Sequence, residues 1–411
     1  MVLLADMNEA TDTKPKVLII TGVLWIGGGA EKAAANLGNY LTDQGYETHL
    51  LTFYEAAQKF PYHGIYHTFD EGAKKSWLHK LPRIPLRVWK INRYARHHQI
   101  DVVYAFLEEA SFYTLVAKRL FFWRRKVIVS VRNNTNRLGR LFRFVSRVLY
   151  PHADVVVAVT RAIEHQLQSN WQLTNTTTIY NSLDMPYVEE RVGEALPPEH
   201  QWLAEHTPLV ISIGRLIQQK GQWHLIRAFS AVREAHPTAK LVIIGEGEYR
   251  ARLEQLVAAC ELTDVVHLIG KHPNVYQFLA SADLFAFSSL WEGMPNTVLE
   301  ALSVGLPIVS TDCVSGPREI IAPDVGILEA IAYPHETPFG VLIKAPENLP
   351  PIWQPPADIP LIPEEQQLAE ALSDVLERRW FRGPEHTEYR RRIADAFDKT
   401  TIMQQWEDLL S

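Results

Sequence analysis

The 411-residue sequence is poor in several features that would have narrowed its class at once. It has two cysteines, Cys260 and Cys313, so it supports no disulfide framework and fits a reducing compartment. No stretch reaches the roughly 18 apolar residues that a membrane-crossing helix needs. Residues 1–15 are polar and end at Lys14-Pro15-Lys16, and Val17–Ile20 is too short for the apolar core of a signal peptide. That opening segment is expected to be disordered. The 16 histidines show no HExxH spacing and no clustering with cysteine, so no metal site is expected. His97-His98 beside a basic stretch reads as surface. No Asp-x-Asp pair is present to hold a metal–nucleotide complex. The run Gly27-Gly28-Gly29 is not GxGxxG, and no acid ends the following strand where a ribose would be held, which weakens a dinucleotide-binding reading.

What is present points to two α/β domains. The length exceeds the usual single-domain range, and 47% hydrophobic residues suffice for two cores. The first half opens with a strand at Lys16–Thr21, the glycine loop, a helix over Ala30–Asp43 and a strand at Glu47–Phe53, a βαβ unit. The glycine loop reads equally as a tight turn or as a place where backbone approaches a ligand. Further strands are expected at Ile100–Phe106, Val127–Val131, Asp154–Val159 and Thr176–Tyr180. The second half restarts the pattern at Leu209–Ile213, Lys240–Ile244, Val265–Ile269, Ala282–Ser288 and Pro307–Ser310. Helices between them make five β/α repeats and a second doubly wound domain.

Residues 186–207 are polar and irregular, with Pro186, Pro197 and Pro198, and the domain boundary is expected there. This gives a first domain over 1–190, a linker over 191–207, a second domain over 208–385 and a closing segment over 386–411. Residues 329–363 are proline-rich and aperiodic and read as a surface excursion. Helices are expected at Glu364–Trp380 and Glu388–Leu410.

The net charge of −6 hides an asymmetry: residues 72–147 hold 18 Lys+Arg against 3 Asp+Glu, so this segment carries +15 and the rest −21. Such a basic segment is either a solvated surface or a dock for a membrane surface, a lipid phosphate or nucleic acid. Residues 137–150 are expected to form an amphipathic helix, with Arg137, Arg140, Arg143 and Arg147 on one arc and Leu138, Leu141, Phe142, Val145 and Leu149 on the other. Trp77, Trp89, Phe121, Phe122 and Trp123 nearby favour an anionic membrane. No nucleic-acid module is evident.

The stretch Glu292-Gly293-Met294-Pro295-Asn296-Thr297-Val298-Leu299-Glu300 carries the chemistry. It follows a buried strand and runs into a helix that Gly305 and Pro307 stop. Glu292 then sits at a strand end and Glu300 about two turns into the helix. Ligands of open α/β sheets bind at that edge, and a helix N-terminus there suits phosphate. Carboxylates accept hydrogen bonds from hydroxyls. A ligand with both phosphates and hydroxyls, a nucleotide sugar, fits. Arg215 and Lys220 sit on the loop after the second domain's first strand, where two cations would neutralise a diphosphate.

The order Gly-Arg-Leu-x4-Lys-Gly from Gly214, Gly-x-Gly at Gly245, E-x7-E at Glu292 and Ser-Gly-Pro-Arg-Glu-Ile at Ser315 resembles the family-4 glycosyltransferases. These are retaining enzymes of the GT-B fold, and the resemblance spans nearly the whole chain. It implies that Glu292 touches the donor sugar, Glu300 holds the ribose, and Arg215 and Lys220 bind the diphosphate. It places Gly293, Met294, Pro295 and Asn296 against the sugar, and Thr297 and Val298 against a phosphate. Gly28 and Gly29, with the strand-end pair Gly270 and Lys271, join the donor side. The closing helix is expected to cross back to the first domain.

Ser130-Val131-Arg132-Asn133 resembles bacterial members that extend glycans on polyprenyl diphosphate. That implies a lipid-linked or polysaccharide acceptor, no cofactor or metal, a UDP-linked rather than GDP-linked donor, and a cytoplasmic protein on the inner face of the membrane. Arg132, Arg140, Arg143 and Arg147 are the acceptor and membrane candidates. One departure stands out: many members carry a His near the end of the first domain's fourth strand, where this chain has Phe106-Leu107-Glu108-Glu109. Glu108 or Glu109 could hold the acceptor hydroxyl instead. A sugar-nucleotide 2-epimerase of the same architecture, a transferase acting on a soluble acceptor and a non-catalytic nucleotide-sugar binder are the alternatives.

Overall fold

The computed structural model describes residues 14–26, 28–72, 83–137, 139–205, 208–347, 350–378 and 385–411. Residues 1–13, Gly27, the basic cluster Lys74, Lys75, Trp77 and Lys80, and Leu138 lie outside the described residues.

Short apolar runs buried on both faces build parallel sheets. The first sheet comprises β1 (Val17–Thr21), β2 (Thr48–Thr52), β3 (Ile65–Thr68), β4 (Val102–Phe106), β5 (Lys126–Val131), β6 (Val155–Ala158) and β7 (Thr176–Thr178), in the order β3-β2-β1-β4-β5-β6-β7. All its pairings are parallel, with Ile19 opposite Leu50 on one side and Tyr104 on the other. The second comprises β8 (Leu209–Ile213), β9 (Lys240–Ile244), β10 (Val266–Gly270), β11 (Leu284–Phe287), β12 (Ile308–Asp312), β13 (His335–Thr337) and β14 (Gly340–Lys344), in the order β10-β9-β8-β11-β12-β14-β13. Only β13 runs antiparallel. In both sheets the order reverses beside the first strand, between β1 and β4 and between β8 and β11. A ligand crevice opens at such a switch point. Two parallel-sheet domains of this kind define the GT-B architecture expected from the motifs.

The chain's end returns to the first sheet. Ile402, Met403 and Trp406 on the helix Lys399–Asp408 pack against Val17, Ile19 and Tyr104. Tyr104 Oη donates to Trp406 O at 2.6 Å, and the hydroxyls of Tyr40 and Tyr46 donate to Glu407. The return is made by two helices, Glu385–Ala396 and Lys399–Asp408, rather than one. Asp398 breaks the run by accepting from Thr401 N at 2.8 Å, an N-cap. At this break Leu183 N donates to Phe397 O at 2.7 Å and Lys399 N to Leu183 O at 3.0 Å, so the two interdomain crossings lie side by side.

Several local expectations need correction. The stretch read as irregular contains the helix Met185–Val192, started by Asp184 (its carboxylate accepts from Tyr187 N at 3.2 Å) and by Pro186 in the first turn. A 3₁₀ turn at Pro198–Glu205 follows. The proline-rich excursion is not wholly on the surface: β13 and β14 form a hairpin that extends the second sheet. The edge strand β3 and the helices Arg83–His97 and Arg161–Trp171 are additional elements.

The amphipathic helix is shorter, Arg140–Leu149, and its faces differ from the expected ones. It packs against the helix Leu107–Leu120 and directs Leu141 (77% exposed), Phe144 (65%) and Val148 outward. Arg143 folds back to donate to Asn136 O at 3.2 Å.

The second domain is braced behind its sheet by a buried ion pair. Arg227 on the helix Gln222–Ala235 meets Glu365 on the helix Pro363–Arg378 at 2.9 Å, both fully buried. His224 Nδ1 shares the carboxylate at 2.7 Å, and Arg227 also donates to the carbonyls of Gln354, Ile359 and Pro360. A buried carboxylate keeps its charge only with such partners. Burial pushes the pKa of Glu365 up, and the bonds from His224 and Arg227 outweigh it and leave the group below the ordinary carboxylate value.

Candidate active site at the interdomain cleft

Residues 288–295 leave β11 and enter the helix Asn296–Val304, which ends on Gly305 in the left-handed region (φ 91°). Glu300 is therefore the fifth residue of this helix, about one turn in rather than two. Glu292 is buried. Its Oε1 accepts from Lys220 Nζ at 2.6 Å and its Oε2 from Gln219 Nε2 at 3.1 Å, while its backbone O accepts from Ser315 Oγ at 2.6 Å. The acid and the lysine expected to act on one ligand thus form a close ion pair. Arg215 lies five residues before Lys220 and is exposed.

Gly293 sets how closely the domains approach. A Cβ there would fall 2.0 Å from the Arg132 carbonyl oxygen, so a side chain would force the cleft apart. Next to it, Asn181 bridges the halves. Its Oδ1 accepts from Arg132 Nη2, and its Nδ2 donates to Asn296 Oδ1 at 2.5 Å. Its N–H meets Met294 Sδ at 3.1 Å. Gly29 faces Asn296, and a Cβ on it would lie 2.9 Å from Asn296 Nδ2. Gly28 caps the helix Gly29–Asp43. In the first turn of the helix Asn296–Val304, Val298 N donates to Pro295 O at 3.1 Å, and the N–H groups of Asn296 and Thr297 have no acceptor within the helix. Thr297 Oγ1 is buried beside them without a hydrogen-bond partner among the described residues. Together they form a donor-rich corner suited to a phosphate.

The other donor candidates also meet the first domain. Glu300 is 3.7 Å from Lys32 Nζ. Lys271 Nζ donates to Ile26 O at 2.9 Å and lies 4.8 Å from the centre of the Trp25 ring.

Arg132 is buried over the Phe106 ring, with Ser130 Oγ and Asn181 Oδ1 as hydrogen-bond acceptors. Burial pulls its pKa down to about 10, and the charge of Glu31 works against that pull. Burial raises the carboxyl of Glu31, against a backbone hydrogen bond and the charges of Arg132 and Arg215.

The acceptor candidates divide. The chain turns from β4 into its helix at Leu107, a non-glycine residue at φ 70°. A side chain held in that region marks strain. Glu109 accepts from Arg87 Nη1 at 2.7 Å and Tyr54 Oη at 3.1 Å, so it is committed to holding a buried arginine. Among the described residues Glu108 accepts only from the Asn133 amide, at 3.1 Å. Arg140, Arg143 and Arg147 lie on the flanking helix and are not in this cluster. Gln219, Asn181 and Ser315 were absent from the expected set. Gln219 had a local signal, since it adjoins Lys220. Asn181 had none, because its partner Asn296 is 115 residues away.

Comparison with known proteins shows the family of the chain. The profile for glycosyl transferases group 1 matches residues 199–335, and that for Glycosyltransferase Family 4 matches residues 27–185. An uncharacterised glycosyltransferase of Methanocaldococcus jannaschii is 32% identical over 97% of this chain and 98% of its own. The chain therefore belongs to the glycosyltransferases. A Campylobacter jejuni N-acetylgalactosaminyltransferase, named for a diphospho-undecaprenol-linked substrate, is 26% identical over 72% of this chain and 81% of its own. Among solved structures, Anabaena HepE in complex with UDP superposes with a TM-score of 0.72 at 20% identity, covering 96% of this chain and 99% of that one. That likeness shows the shared GT-B fold.

Proposed function

We propose that this glycosyltransferase moves a hexose or N-acetylhexosamine from a UDP-sugar to a lipid-linked oligosaccharide or polysaccharide, with retention at the anomeric carbon. The ion pair of the buried Glu292 with Lys220, beside the Thr297 hydroxyl, which has no hydrogen-bond partner among the described residues, and the N-terminus of the helix Asn296–Val304, carries the reading. Arg215, Lys220 and the helix end bind the diphosphate, Glu292 the donor sugar and Glu300 the ribose. Glu300 exchanges Lys32 for the ribose hydroxyls, and Glu292 shares Lys220 between the sugar and the diphosphate. Gly28, Gly29, Gly270 and Lys271 close the donor site.

In the reaction the bond from the sugar's anomeric carbon to the diphosphate oxygen breaks. The acceptor oxygen bonds that carbon on the same face, and its proton passes to the departing diphosphate. No protein base is required. Positive charge around the leaving group lowers the barrier where negative charge develops. Glu108, tied among the described residues only to Asn133, is the group left to orient the acceptor hydroxyl.

The name of the Campylobacter relative supports a polyprenyl-diphosphate-linked acceptor, and an enzyme acting on such an acceptor works at the inner face of the cytoplasmic membrane. Among the described residues no helix is long and apolar enough to cross a membrane. The first domain instead exposes Phe122 (88% exposed), Leu141, Phe144 and Val148. Exposed Arg119, Arg124, Arg140 and Arg147 lie on the same elements. Apolar side chains among cations suit an anionic bilayer surface.

Calorimetric screening of UDP- and GDP-sugars, followed by assay on polyprenyl-diphosphate glycans, tests this. Glu292→Ala and Lys220→Ala should each reduce transfer by roughly a hundredfold or more, with an unchanged far-ultraviolet dichroism spectrum. Near wild-type turnover in either variant would overturn the assignment.

A further inference from the structure

The motif Ser315-Gly316-Pro317-Arg318-Glu319 contains one carboxylate that the donor site does not use. The helix Arg161–Trp171 starts at the cleft end of β6 and must find acceptors for its first four N–H groups. Two are met at home. Thr160 Oγ1 accepts from Ile163 N at 3.3 Å, and Thr160 O accepts from Glu164 N at 3.0 Å. The other two are met from the second domain. Glu319 Oε2 accepts from Arg161 N at 2.7 Å and Oε1 from Ala162 N at 3.0 Å. Tyr180 Oη donates to Oε2 at 3.0 Å. A carboxylate at a helix N-terminus gains from the dipole as well as from charge-assisted hydrogen bonds.

The other end of this contact is tied to the donor loop. Arg318 is clamped by Asp312 (Nε to Oδ2, 3.0 Å) and donates to Tyr333 Oη at 3.2 Å, which fixes the turn that carries Glu319. Ser315 holds the backbone of Glu292. Gly316 lies directly against Pro295, where a Cβ would be 2.4 Å from the ring. One short segment therefore touches the donor loop with its first residues and the first domain's helix with its last.

We infer that Glu319 is a positioning residue for glycosyl transfer, a latch that holds the first domain closed over the donor loop while taking no part in binding the nucleotide. The inference rests on the transferase reading of the cleft. Closure brings the acceptor side to the donor, and a displacement of about 1 Å between reacting groups can cost a hundredfold in rate.

The test uses the full chain with Glu319→Ala, Glu319→Gln and Tyr180→Phe. UDP binding is read by calorimetry, turnover by transfer assay, amide exchange at Arg161 and Ala162 by NMR, and the radius of gyration by small-angle scattering. Glu319→Ala should leave UDP affinity within about twofold while turnover falls about ten- to a hundredfold. Both amides should exchange faster and the radius of gyration should rise. Glu319→Gln keeps one acceptor oxygen and should fall between. Tyr180→Phe removes one of three donors and should have the smallest effect, and it guards against an alanine variant that fails to fold. Unchanged turnover, or UDP affinity lost in proportion to turnover, would overturn the latch. If the wild-type chain binds no nucleotide, the transferase reading fails instead. Exchange and scattering still decide the latch in that case, since unchanged values in Glu319→Ala refute it.

Discussion

The second domain keeps most of its candidate chemistry on two short stretches, residues 215–220 and 292–300, with Gly270 and Lys271 added at the end of β10. The first domain gathers what faces the cleft from distant places: Gly29 after β1, Glu108 after β4, Arg132 after β5 and Asn181 beyond β7. Both domains share one sheet order, so topology does not account for the contrast. A nucleotide diphosphate is compact, and one loop with one helix end can surround it. An extended acceptor must be met along the sheet edge. A contiguous ligand site writes itself into contiguous sequence, and a spread one does not.

The two halves also anchor arginines differently, which gives the largest expected effect. Arg227 in the second domain bonds the fully buried Glu365 and the backbone carbonyls of Gln354, Ile359 and Pro360. Arg87 in the first bonds Glu71 and Glu109, each at 2.7 Å, and Glu109 belongs to the cleft edge. Arg227→Met should destabilise the second domain by about 3–5 kcal/mol, because it leaves Glu365 buried without its arginine. Urea denaturation followed by tryptophan fluorescence measures this. Arg87→Met should destabilise the first domain less, since Glu109 reaches water, and should alter acceptor KM, which Arg227→Met should not. Equal effects on acceptor KM would break the comparison.

The next effect concerns the outer surface of the first domain. Replacing Leu141 and Phe144 with serine should weaken flotation with anionic vesicles by about tenfold or more, from roughly 1.5–3 kcal/mol per inserted side chain. Arg140→Glu with Arg147→Glu should weaken it in low salt and much less in high salt. A loss seen only with the arginine variants would restore a purely electrostatic dock.

The smallest effect is a pH dependence at Glu31. Burial outweighs a backbone hydrogen bond and the charges of Arg132 and Arg215 and leaves its carboxyl above the ordinary value. The folded chain then holds this proton more tightly than the unfolded chain. Its contribution to stability is full below the unfolded value and is lost as pH rises through the raised one. Glu31→Gln should remove that decline, so thermal melts of the two proteins should diverge as pH rises from about 4. Parallel curves would show that Glu31 is not held in this way.

Legibility followed the same divide. The helix Gln222–Ala235 and the strands β8 and β9 fall where hydrophobic patterning and the glycine stops put them. The edge strand β3, Ile-Tyr-His-Thr, is four residues long and only half buried, so it carries almost no pattern. The helix Arg161–Trp171 does carry a start signal, Thr160, and its other acceptor lies more than 150 residues away in Glu319. In the helix Arg140–Leu149 the apolar residues run most of the way round. Periodicity could not say which would be buried. The helix packs on its neighbour Leu107–Leu120, which leaves Phe142, Val145 and Leu149 partly buried and Leu141, Phe144 and Val148 outside.

The sequence by itself determined two α/β domains, the strand-to-helix turn at Glu292–Glu300, the two cations before it and the basic character of the first half. Each depends on residues within a few positions of one another, where patterning, caps and spacing act directly. Tertiary structure decided the rest: that Lys220 pairs with Glu292, that Asn181 joins Arg132 to Asn296, that Glu319 completes a helix in the other domain, and which face of the basic helix meets solvent. Those contacts join residues far apart in the chain, and only the packing of two finished domains brings them within hydrogen-bond reach.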